Sequence, residues 1–169
     1  MILARKKTFA VIGLGQFGKS ILSELIALGY EVLAIDVNQS RVNEVVNIAT
    51  HSLICDTTDE ECLVNIGIKS ISHVIVAIGE NVQASILTSL ILKELGVKEI
   101  TVKAQNDYHE RVLIKIGIAD IIRPEKDMGK KIARRISSRF ISDTLELSEK
   151  HSLVEISVSH KITNKMLKE

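Results

Sequence analysis

Gly13-Leu14-Gly15-Gln16-Phe17-Gly18 is the segment of this sequence best suited to chemistry, and that chemistry is the holding of a phosphate. It follows a β-branched run, Phe9–Gly13, and opens a stretch with apolar residues at helix-face spacing, the strand–turn–helix setting that gives the pattern weight. Gly13 permits the tight turn, Gly15 lets backbone approach a phosphate, and Gly18 lets the helix pack on the strand. A helix N-terminus offers free N–H groups and a positive dipole end to an anion. Asp36 ends the next β-branched run, 18 residues past Gly18, where a carboxylate can accept from ribose hydroxyls. A second motif overlaps the first: Gly13-x-x-x-x-Gly18-Lys19-Ser20 also satisfies the P-loop pattern, with Lys19 on phosphates and Ser20 on magnesium. Three glycines placed for a dinucleotide turn, and an acid at the ribose distance, favour the first reading.

Other candidates fall where further strands end. Asp56-Thr57-Thr58-Asp59 follows one; Asp56 can meet an adenine edge, and Thr58 or Asp59 suits a helix cap. Gly79, in Ile78-Gly79-Glu80-Asn81, allows backbone to lie against a nucleoside, and Lys103 can face phosphates. Catalytic patterns are thin. The Tyr-x-x-x-Lys pair of short-chain dehydrogenases is missing, because positions 34 and 112 are Ala34 and Val112. Cys55 and Cys62 stand seven apart, outside C-x-x-C spacing, and read as small buried apolar residues. No histidine spacing matches a metal motif: His51 and His73 read as strand starts, and His109, His151 and His160 as surface.

The elements that must position these residues recur about every 20 positions, a βα spacing. Short runs at Phe9–Gly13, Glu31–Asp36, His51–Cys55, His73–Ile78, Glu99–Lys103 and Asp120–Ile122 alternate with helical stretches at Ser20–Leu28, Asn81–Leu95 and Asp107–Ile116. This predicts an α/β fold, a doubly wound six-stranded parallel sheet in the order 3-2-1-4-5-6. Residues 1–124 form that domain. Residues 125–151 are a long helix with Met128, Ile132, Ile136 and Phe140 in one stripe, followed by a polar linker. Residues 152–169 open with a strand at Leu153–Val158 that either adds to another sheet or starts a second domain that is mostly absent. With 169 residues, 46% apolar and 25% charged, the chain has the composition of a globular protein. A net charge of +1 and 3% aromatics argue against nucleic-acid binding. No secretory leader or membrane span is visible, and a cytoplasmic location is expected.

FAVIGLGQFGKS, EVLAIDVN, HSLICDTTDE, HVIVAIGENVQASILTSLILKELGV, ITVKAQNDYHERVLIKIG and IIRPEKDMGKKIA together resemble the KTN/RCK domain, and more closely the regulatory subunits of bacterial Ktr potassium-uptake systems. The likeness runs over about residues 7–160. It implies a Rossmann-like domain without enzymatic activity that binds ATP or ADP, in some relatives NAD or NADH, and changes shape with the ligand. It implies homodimers assembled into an octameric ring beneath a membrane-embedded potassium transporter, cytoplasmic and peripherally attached, with the helix after the sixth strand crossing to a neighbouring subunit. By motif position, Gly13, Gly15, Gln16, Phe17 and Gly18 line the phosphates and Asp36 takes the ribose. Asp56 and Thr57 lie by the adenine, Gly79 by the nucleoside, and Lys103 at phosphate. Glu125 helps hold a divalent cation at the dimer interface. Gln16 departs from the family, where arginine is frequent, and supplies no charge for a terminal phosphate. An NAD(H)-binding sensor and an NAD-dependent oxidoreductase fragment are the alternatives.

Overall fold

The computed structural model describes residues 7–137, 141–148 and 151–156, with side chains in the first of these stretches. Six strands form the expected sheet: β1 (Thr8–Ile12), β2 (Glu31–Asp36), β3 (His51–Ile54), β4 (His73–Val76), β5 (Glu99–Lys103) and β6 (Asp120–Ile122). Every pairing is parallel, and the spatial order is β3-β2-β1-β4-β5-β6. The order steps outward from β1 in both directions, so the chain reverses direction in the sheet between β1 and β4, where an open α/β sheet holds its ligands.

Alternation along the strands explains the two cores. Phe9 and Val11 pack with Val32, Ala34 and Ile75 under α1 (Gln16–Ala27) and α2 (Gln39–Val45). Ala10 and Ile12 pack with Ile35, Val74, Val76 and Val102 under α3 (Glu60–Asn65), α4 (Val82–Glu94) and α5 (Asp107–Lys115). A parallel sheet covered on both faces needs this double burial, which is why its strands read as continuous apolar runs.

Three details differ from the sequence reading. The apolar spacing in residues 81–95 predicts an inner face of Ile86, Leu87, Leu90, Ile91 and Leu95 for α4. Of these Ile91 is buried; the rest of the buried face is Ser85, Thr88, Ser89 and Leu92, and Leu87 is 43% exposed. Small side chains let this helix lie close to the sheet, and Ser89 returns its hydroxyl to the carbonyl of Ser85 at 2.6 Å. His109, expected on the surface, is 2% exposed. It shares the inner face of α5 with Leu113, four residues on, and its Nδ1 accepts the N–H of Gln105 at 3.2 Å. Cys55 and Cys62, expected as small buried apolar residues, form a disulfide. The turn between β3 and α3 doubles back and brings their Cα atoms to 6.4 Å, inside disulfide range.

The chain divides after Arg123 into two units. The second holds α6 (Pro124–Ser137) and the antiparallel pair β7 (Ile141–Ser148) and β8 (His151–Ile156). β7 runs through residues that composition marked only as polar. Met128, Ile132 and Ile136 of the α6 stripe are exposed in the single chain. Phe140 and residues 157–169 lie outside the described residues.

Burial holds the pKa of His109 below the ordinary imidazole value. The folded chain therefore takes its proton at lower pH than the unfolded chain, whose imidazole titrates near 6.5. Stability contributed by neutral His109 is full above about pH 6.5 and is lost progressively as pH falls from there through the lower folded-state value. An NMR titration of the ring is expected to give a midpoint below 6.5, and a midpoint at or above it overturns the buried placement.

Candidate functional site

The carboxyl ends of β1, β2 and β4 converge on the glycine-rich turn. Gly13 sits at φ +92°, and a Cβ there would come within 2.8 Å of the backbone nitrogen of Ile78, so the turn needs glycine. A Cβ on Gly18 would lie 1.9 Å from the carbonyl oxygen of Gly13, so the first turn of α1 can approach β1 only with glycine at that position. At Gly15 a Cβ would meet nothing within 4 Å; the space above it is open.

Asp36 anchors this turn. Its side chain is 4% exposed. Oδ2 accepts the Leu14 N–H at 2.7 Å, and Oδ1 accepts the Asn38 N–H at 2.8 Å. The carboxylate expected on a ribose thus first fixes the glycine turn to the start of α2. Arg41 Nη1 stands 3.8 Å from Oδ2.

The helix starts around the sheet's carboxyl edge differ in one respect. Asn38, Asp59, Asn81 and Asn106 cap α2, α3, α4 and α5, each accepting a first-turn N–H with its side chain. Asp59 is thus the cap of its pair. The N-cap of α1 is Gly15, with no side-chain bond and no acidic residue in its first turn. Unsatisfied N–H groups and the positive end of the helix dipole face the open space above Gly15, an arrangement suited to phosphate.

The P-loop alternative loses its two functional side chains. Lys19 Nζ pairs with Glu44 of α2 at 2.6 Å, and Ser20 donates to the carbonyl of Gln16 at 2.9 Å.

The remaining candidates divide. Lys103 Nζ lies 5.3 Å from the Phe17 ring centroid, and a Cβ on Gly79 would be 3.9 Å from the same nitrogen. Phe17, Gly79 and Lys103 are therefore brought together, and Gln16 is exposed beside them in sequence. Asp56 is exposed, and hydrogen bonds from the Thr58 side chain and backbone hold its pKa below the usual carboxylate value. Thr57, expected beside adenine, is turned inward; it is buried, and its hydroxyl meets that of Thr88 at 2.9 Å. Glu125 lies at the start of α6, in the second unit. Among the described residues no group of three or more His, Cys, Asp or Glu side chains is arranged to hold a metal ion.

Sequence reasoning missed Arg41, which spans two elements of the site. It also missed the asparagine caps, although an Asn just before each helical run was a readable signal.

Residues 9–124 match the TrkA-N domain. Ktr system potassium uptake protein C of Bacillus subtilis is 59% identical over 96% of this chain and 73% of its own length. Ktr system potassium uptake protein A of the same organism is 50% identical over the same shares. The GsuK channel bound to NAD superposes with a TM-score of 0.68 at 10% identity, over 88% of this chain and 27% of the channel chain. The chain belongs to the TrkA-N domain family and, within it, to the Ktr type.

Asp36→Ala leaves the Leu14 N–H buried without an acceptor. It is expected to lower unfolding free energy by about 2–3 kcal/mol in the absence of any nucleotide. Asp36→Asn, which keeps an oxygen, is expected to lose less. Urea denaturation checks both, and an unchanged midpoint for the alanine variant overturns the anchoring role.

Proposed function

We propose that this member of the Ktr type is a nucleotide-binding regulatory subunit of a potassium-transport system, not an enzyme. The observation that carries the reading is the uncapped, glycine-lined start of α1, set among four neighbouring helices whose starts are capped by their own side chains. Family membership supports the transport role, since the relatives are named as potassium uptake proteins.

The ligand of this reading is ATP or ADP. The phosphates lie on the backbone of Gly13–Gly18, the ribose beside Asp36, and the base toward Asp56. Lys103, beside Gly79 and Phe17, is the cation on the phosphate side. NAD or NADH is the second ligand class, favoured by the absence of charge at Gln16 and by the room above Gly15. The protein works in the cytoplasm against a membrane-embedded potassium transporter. Homodimers build an octameric ring, α6 crosses between subunits, and Glu125 holds a divalent cation at their interface. The exposed apolar stripe of α6 supports that crossing. Each nucleotide shifts the ring toward the shape in which it makes more contacts.

Calorimetric titration of the chain with ATP, ADP and NADH, with and without Mg²⁺, tests this reading beside a phosphate-release assay. Saturable ATP or ADP binding without release is the expected result. Binding of NADH alone moves the ligand to the dinucleotide class. Steady turnover, or no binding by any of the three, overturns the reading.

A further inference from the structure

Arg41, on α2, carries an observation at this site that the proposed function does not use. Its Nη1 lies 3.8 Å from Asp36 Oδ2, and its Nη2 lies 3.7 Å from Glu80 Oε2. α2 follows β2, and Glu80 lies in the connection between β4 and α4. β2 and β4 are the two sheet neighbours of β1. An ion pair joining their following segments must therefore pass above the end of β1, where the glycine-rich turn stands. Arg41 and Glu80 form a strap across the opening over Gly13–Gly15.

Both separations exceed hydrogen-bond length, so the guanidinium is held by charge and keeps its donors available. Its partners differ. Asp36 is buried and committed to two backbone N–H groups. Glu80 is 90% exposed, and a pair of that kind is worth little to stability. Glu44, the other carboxylate that acts electrostatically on this region, is already taken by Lys19. Of the carboxylates around Arg41, Glu80 is thus the one most easily exchanged. A guanidinium presents a planar fork that matches phosphate better than a carboxylate held at 3.7 Å. The glycine turn below contributes no charged side chain of its own, because position 16 is Gln16.

Resting on the nucleotide reading above, we infer that Arg41 is a further nucleotide-binding residue, and that the Glu80 carboxylate is a resident anion which a phosphate of the bound nucleotide displaces. Binding then exchanges one anion for another on the same guanidinium, and affinity reflects the competition. Nucleotides gain from Arg41 according to their phosphate charge, and adenosine gains nothing.

A double-mutant cycle read by calorimetry tests this, with adenosine, ADP and ATP as probes and thermal midpoints recorded for every variant. Arg41→Gln is expected to weaken ADP binding about tenfold, the scale of a charge-assisted hydrogen bond, and to leave adenosine unchanged. Glu80→Gln is expected to tighten ADP binding about threefold, the scale of an exposed ion pair. In the Arg41→Gln background, the Glu80→Gln gain is expected to vanish. Persistence of the gain there means that Glu80 acts by general repulsion alone and overturns the exchange. Unchanged ADP affinity in Arg41→Gln, with wild-type binding intact, overturns the inference and leaves the nucleotide reading standing. Failure of both wild type and Glu80→Gln to bind any probe overturns both.

Discussion

The carboxylate of Asp36 holds together the end of the sheet on which everything else depends. Leu14 has a backbone donor inside the fold, at a turn whose φ and close contacts already demand glycine at position 13. A carboxylate can satisfy that donor and a second one through two separate oxygens, where an amide has a single oxygen to offer. Asp36 does so by binding Leu14 and Asn38 through separate oxygens. Its own carbonyl also accepts the N–H of Cys55, at 3.1 Å. One residue therefore sets the relative positions of the glycine turn, the start of α2 and the end of β3. Charge-assisted hydrogen bonds in a buried setting are the interactions best able to impose such geometry.

With the turn fixed, electrostatics selects what can sit on it. Capping removes most of the attraction a helix start has for anions, because the donors are already bonded. Asn38, Asp59, Asn81 and Asn106 do this for four helices at the same edge. The exception, α1, begins at Gly15, which has no side chain to cap it and where a Cβ would meet nothing within 4 Å. An anion attracted to this edge is thus directed to one place. The same logic separates the two motifs that overlap in residues 13–20. Both need the glycines, but the P-loop also needs Lys19 and Ser20 turned toward the ligand, and both side chains are engaged with Glu44 and the Gln16 carbonyl.

Much of this was legible in the residues alone. The β-branched runs and the glycine fingerprint predict the sheet order and its switch point, because burial on both faces and the steric needs of a tight turn are written in local composition. What escaped depends on partners distant in sequence. The burial of His109 and the small inner face of α4 follow from how near each helix lies to the sheet, which periodicity of large apolar residues cannot measure. Thr57 looks like an open polar residue until Thr88, 31 positions on, meets it. Cys55 and Cys62 become a pair only because the turn between β3 and α3 reverses. Arg41 belongs to the site through Asp36 and Glu80, which come from different connections. β7 was invisible for another reason: its residues have no apolar run to announce a strand.

The interactions around the cleft also fall into two energy classes. The floor consists of buried bonds: Asp36 to two backbone donors, and Thr57 to Thr88. Breaking one of the buried hydrogen bonds costs on the order of 1–3 kcal/mol. The rim consists of exposed groups, Gln16, Asp56 and Glu80, and the Arg41–Glu80 ion pair is of a kind typically worth about 0–1 kcal/mol. A ligand redistributes a protein's conformations only by as much as it distinguishes between them, typically 1–3 kcal/mol for coupled sites. That is enough to rearrange the rim several times over, and no more than the cost of one bond in the floor. On the proposed reading, a nucleotide in this cleft is expected to act on the connections that carry Arg41 and Glu80 rather than on the sheet and the glycine turn.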